Sequence, residues 1–111
     1  MRNSKITKND GLENLKPLKA VASPVRLMIL DYLKRPADHF PPQVDGNVKT
    51  DGVCADFIRE KLGIAAATAS RHLTLLTEAG LLVAIRKKGW TFYRRDEAAI
   101  RRFTRQLQSR L

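Results

Sequence analysis

Apolar positions recur at helical spacing from Leu12, with Leu12, Leu15, Leu18 and Val21 falling on one face. Pro17 stands inside that stretch, so the helix starts near Lys16 or is irregular there. Ser23-Pro24 is a restart signal. A serine hydroxyl can cap a helix, and a proline at the first helical position gives up no needed donor. The second helix runs through Val25, Leu27, Met28, Leu30 and Leu33 and stops before Pro36. Residues 36–52, PADHFPPQVDGNVKTDG, hold three prolines and two glycines and read as a loop with a short strand near Val48–Thr50. A connection of that length in a small domain tends to be functional, and Phe40 is placed to pin it to the body.

The next helix spans Val53 to Leu62, with Val53, Phe57, Ile58 and Leu62 on one side and Gly63 at its end. Another follows from about Ala66 to Ala79 and is closed by Gly80. Two helices joined by a short turn containing glycine make a helix-turn-helix. After Gly80 the pattern changes. LLVAIRK and WTFYRR are rich in β-branched and aromatic residues, flank the turn Lys87-Lys88-Gly89, and predict a β-hairpin. Trp90, Phe92 and Tyr93 are expected to pack that hairpin against the body. The final stretch, DEAAIRRFTRQLQSRL, predicts an amphipathic helix with Ile100, Phe103, Leu107 and Leu111 along one stripe. The fold class is mainly α with a small β-hairpin: a winged helix-turn-helix with an extra helix at each end.

Charge sharpens this picture. The 111 residues suit one domain, and 21 basic against 11 acidic side chains leave a net charge of +10. Residues 86–111 alone carry nine basic and two acidic side chains, whereas residues 23–85 carry seven of each. A neutral body with basic ends suits a polyanion. No run of about 18 apolar residues is present and the N-terminus lacks a secretory pattern, so a cytoplasmic protein with no membrane partner is expected. Cys54, His39 and His72 are widely spaced, so neither a metal site nor a cofactor is expected. No nucleophile–base pair, glycine-rich phosphate loop or carboxylate couple stands in a recognisable context, which argues against an enzyme.

Three segments in order resemble the ArsR-type repressors. VASPVRLMILDYL resembles their second helix, EKLGIAAATASRHLTLLTEAGLL their DNA-reading unit, and WTFYRRDE the end of their wing. The similarity runs over about residues 12–105. It implies a homodimeric repressor that holds a palindromic double-stranded DNA operator and lets go when an effector binds. On this reading residues 1–11 are a flexible arm and residues 12–111 form the DNA-binding and dimerisation domain. The resemblance further implies a dimer interface on the terminal helices, here Leu12, Leu15, Leu18, Ile100, Phe103 and Leu107. The alternative is that these stripes simply cover a monomer's core. Metal-sensing members carry a Cys-x-Cys pair before the turn, or Asp and His ligands on the last helix. Here GVCADF holds Cys54 alone and residues 96–111 hold neither His nor Cys, so an unknown small-molecule effector is expected rather than a metal at the usual sites. The loop with His39 and Phe40 is its candidate site.

On the reading helix, Ala69, Leu73 and Leu76 form an inward face. Ala66, Ala67, Ser70, Arg71 and Thr74 face outward, with Thr68 at the boundary. Arg71 can bond a guanine edge bidentately or sit on a phosphate. The family's usual N-cap serine falls on Ala65, so that cap is missing. Arg86, Lys87 and Lys88 at the hairpin tip form a wing suited to phosphate or the adjacent minor groove. His72 is read as a packed, hydrogen-bonded residue. The rival function is a winged-helix protein–protein module without specific DNA readout, which has no need of the basic last segment.

Overall fold

The computed structural model describes residues 14–43, 45–48 and 50–111, and the expected arm and Leu12 lie outside the described residues. The order is α1 (Lys16–Val21), α2 (Pro24–Lys34), β1 (Val53–Cys54), α3 (Ala55–Leu62), α4 (Ala66–Glu78), β2 (Leu82–Lys87), β3 (Trp90–Arg95) and α5 (Glu97–Arg110). Pro17 sits in the first turn of α1, where its missing N–H costs nothing, so that helix begins at Lys16. Ser23 caps α2 as its sequence predicts, its Oγ accepting from the Arg26 amide at 3.2 Å.

The region before α3 departs from the sequence expectation. Val53 and Cys54 are not the first turn of α3 but a two-residue strand, antiparallel to β3 with Val53 opposite Tyr93 and Cys54 opposite Phe92. Val48 and Thr50, expected in a strand, lie in turns. Gly52 makes the pairing possible: at φ 104°, a Cβ there would lie 2.3 Å from the Tyr93 carbonyl oxygen. The sheet therefore has three strands in the order β1-β3-β2. A two-residue tip, Lys88-Gly89, joins β2 to β3, both residues at positive φ as the twist of a tight hairpin demands.

One core lies between the helices and the sheet. Ile29 and Leu33 of α2, Ile58 of α3, Leu73 and Leu76 of α4, and Leu81 before β2 are all buried there. Phe40 reaches the same core from the long loop, as expected. Buried at about 25 cal/mol per Å² of apolar surface, such side chains hold the loop and the helices as one body. Arg95 ties the end of β3 to α2 by donating from Nη1 to the Leu30 carbonyl at 3.0 Å, and Asp96 caps α5 by accepting from the Ala99 amide at 3.0 Å.

Candidate nucleic-acid interface

Helix α4 is seated by its inward face. Ala69, Leu73 and Leu76 are 2%, 0% and 0% exposed, which turns Ala66, Ala67, Thr68, Ser70, Arg71 and Thr74 outward, all of them exposed. At Ala65 no side chain caps the first turn, so its N–H groups open on the side where an anion would lie. Among the described residues Arg71 has no hydrogen-bond or ion-pair partner, so its guanidinium is free to engage a ligand.

Its neighbour His72 is held. Arg26 donates from Nη1 to His72 Nδ1 at 3.0 Å, from Nε to the Ala20 carbonyl at 2.7 Å, and from Nη2 to the Lys19 carbonyl at 3.4 Å. One guanidinium thus closes the C-terminal end of α1 and fixes α4 against α2. His72 titrates below its ordinary range, chiefly because burial penalises the cation and secondarily because Arg26 and Arg71 repel it. The packed, hydrogen-bonded histidine expected from the sequence is the one observed.

The wing is not a free basic tip. Lys87 Nζ lies 3.2 Å from Asp51 Oδ2, Lys88 Nζ lies 3.5 Å from Asp45 Oδ1, and Arg86 donates from Nη1 to Thr91 Oγ1 at 2.9 Å. Asp51 also accepts from the Asn47 amide at 2.8 Å. That bond and the Lys87 ammonium hold its carboxyl below the usual carboxylate range. Gln43 clamps the loop to β1, donating to the Gly52 carbonyl at 3.0 Å and accepting from the Cys54 amide at 2.7 Å. None of Gln43, Asp45 and Asp51 was legible as a wing partner from the sequence, where all three read only as parts of a loop rich in proline and glycine.

Trp90 corrects a second expectation. Phe92 is buried and Tyr93 half-buried, but Trp90 is 46% exposed and stands at the mouth of a 280 Å³ cavity under the wing. Cys54, Phe57 and Phe92 line that cavity, with Gln43 and Asp45 from the loop. His39 and Phe40 do not reach it. Phe40 is in the core, and His39 lies against Tyr32 with ring centroids 4.9 Å apart, so both anchor the loop to α2.

The apolar residues of the terminal helices divide. Leu15 and Leu18 of the α1 region are exposed, Ile100 and Leu107 are half-buried, and Phe103 is buried in the protomer's own core. Leu27 and Met28 of α2 are exposed as well, extending the apolar surface beyond the stripes that the sequence singled out.

The chain superposes on NolR from Sinorhizobium fredii with a TM-score of 0.62 at 21% identity, covering 94% of this chain and 88% of that one. It matches Mb0332 from Mycobacterium bovis, a homodimeric winged helix-turn-helix DNA-binding domain described as a possible ArsR-family regulator, equally well. There the TM-score is 0.62 at 24% identity, covering 98% of this chain and 87% of that one. In sequence it is 43% identical over 89 residues to YbzH, an uncharacterized HTH-type transcriptional regulator of Bacillus subtilis (strain 168), covering 80% of this chain and 89% of the relative. The chain belongs to the HTH-type transcriptional regulators, and its fold is a winged helix-turn-helix. No family model matches it. In this DNA-binding regulator, no three His, Cys, Asp or Glu side chains among the described residues gather where a metal ion could sit. No helix among them is long and apolar enough to cross a membrane.

Proposed function

We propose that this regulator is a cytoplasmic homodimeric repressor, with no catalytic activity, that reads a palindromic double-stranded operator through α4 and releases it when a small non-metal effector binds. The observation that carries this reading is Arg71, exposed and without a partner among the described residues, in the middle of a helix whose opposite face is fully buried. A helix presented in this way fits a major groove, and an arginine on its outer face can discriminate a guanine edge by about 1–3 kcal/mol. Ala66, Ala67, Thr68, Ser70 and Thr74 supply the remaining contacts, with the alanine methyls suited to thymine methyls. Arg86, Lys87 and Lys88 then lie along the neighbouring phosphates. The exposed Leu15, Leu18, Leu27 and Met28, with Ile100 and Leu107 beside Phe103, form the dimer face. The long loop is the sensing element, anchored by His39 and Phe40 and bound to the wing at its far limb.

The test is binding of the purified protein to the DNA upstream of its own gene against random duplex across a salt series, with Arg71→Ala alongside. Salt-sensitive binding that prefers the upstream DNA, and loses that preference in the variant, supports the reading. A protein that stays dimeric and prefers no duplex is instead a protein–protein module, and the proposal falls.

A further inference from the structure

The cavity under the wing has walls and a rim of different character. Phe57 of α3, Phe92 of β3 and Cys54 make its walls with Trp90 at its mouth, and its 280 Å³ is near the lower end of known ligand cavities, room for one ring and a short chain. The rim carries Asp45, Asp56, Arg59 and Glu60. Arg59, the rim's basic group, stands in an ion pair with Asp56, its Nε 3.6 Å from Oδ1 and without a hydrogen bond, and outside the rim Lys88 Nζ lies 3.5 Å from Asp45 Oδ1. Glu60 has no ion-pair partner among the described residues. One unmatched negative charge thus borders an aromatic pocket in a chain of net charge +10. Aromatic faces attract cations, tryptophan most strongly, so walls and rim favour the same sign of ligand.

We propose that this cavity binds a small organic cation, an aromatic ring bearing a charged amine, with the ring among Phe57, Phe92 and Trp90 and the ammonium at Glu60. This deepens the effector reading above and rests on it for its consequence, not for the binding itself. Trp90 follows directly on the wing tip, and Asp45 on the rim holds Lys88 of that tip. A ligand seated here therefore touches the first residue after the tip and the loop that restrains the tip, and it re-seats the wing relative to α4.

Trp90 is the chain's single tryptophan, so intrinsic fluorescence reports occupancy of this site. The full-length protein is titrated with 2-phenylethylamine, 2-phenylethanol and phenylacetate, and affinity for the upstream duplex is measured with and without the amine. The expected result is a saturable change with the amine, binding weaker by about tenfold or more with the alcohol, and none with the carboxylate. Glu60→Gln, an exposed substitution whose unfolding curve is expected to match the parent's, weakens amine binding by about fivefold or more. Phenylacetate binding as well as the amine, no saturable change up to about 10 mM amine, or an unweakened Glu60→Gln variant would each overturn the site. Amine binding that leaves duplex affinity unaltered upholds the site and removes the effector reading. Preferential duplex binding without amine binding does the reverse.

Discussion

Arg26 Nη1 and His72 Nδ1 lie 3.0 Å apart and join the first turn of α2 to the middle of α4. With a guanidinium donating to Nδ1, the imidazole is neutral and carries its proton on Nε2. Protonation places a second cation against Arg26 and next to Arg71, in a partly buried setting, so the folded protein resists it. The unfolded chain takes up that proton near the ordinary value of 6.5, the folded one only at lower pH. The contribution to stability is therefore intact above 6.5 and is lost as pH falls through it toward the folded-state value. Thermal unfolding between about pH 7.5 and about pH 5.5 is expected to show this decline, and His72→Gln, which keeps an acceptor for Arg26, to flatten it. A variant with the parental slope would place the dependence in another group.

The pairs Asp51–Lys87 and Asp45–Lys88 predict a gain of DNA affinity from the loss of acids. Asp45→Asn and Asp51→Asn each release a wing lysine and remove a charge that repels phosphate. Binding to random duplex, followed by fluorescence anisotropy, is expected to tighten, with a salt slope steeper by about 0.9 for each new phosphate contact. Adding Lys87→Ala to Asp51→Asn should return the slope to its starting value. Tightening that survives this second change would mean that the lysine is not what the aspartate restrains.

Two glycines at positive φ make a matched comparison. Around Gly80, at φ 80°, an added Cβ meets nothing within 4 Å, so Gly80→Ala costs only the left-handed backbone penalty of about 1–2 kcal/mol. Around Gly52 the same Cβ meets the Tyr93 backbone at 2.3 Å. Gly52→Ala must displace β1 from β3, and a loss above about 3 kcal/mol is expected in urea titrations. Equal losses at the two sites would show that β1 shifts aside freely.

A missing cap offers a gain in stability. Ala65 is already in the extended conformation of an N-cap, at φ −67° and ψ 152°, but lacks an acceptor. Ala65→Ser is expected to stabilise the protein by about 0.5–2 kcal/mol, read as a rise in unfolding midpoint. No rise would mean that the first-turn N–H groups are already satisfied another way.

What could be read beforehand follows from how local its cause is. The inward face of α4 and the end of α3 at Gly63 depend on spacing and on single-residue backbone preferences, and both are where the sequence places them. The Ser23 cap is equally local. Strand β1 is not. It has two residues, too few to show a period, and its partner Tyr93 comes about forty residues later. The Asp45 and Asp51 contacts are of the same kind, since they depend on where an irregular loop comes to rest. A stripe such as Ile100, Phe103 and Leu107 reports burial but not in what, and here Phe103 is spent on its own protomer. Leu27 and Met28 are apolar positions of α2 whose face the sequence does not settle, and they stand on its outward side.

The short β1–β3 ladder has a consequence for cooperativity. By pairing Val53 with Tyr93 it closes the intervening chain, with α3, α4 and β2 inside, into a single ring. Fraying of the hairpin's far strand therefore also unpins the segment that leads into α3, so reading helix and wing open as one unit. Amide hydrogens at Val53, in α4 and along β3 should then exchange with a common opening free energy, while those at the ends of α5 exchange earlier. Two residues of strand make α3, α4 and the hairpin rise and fall together.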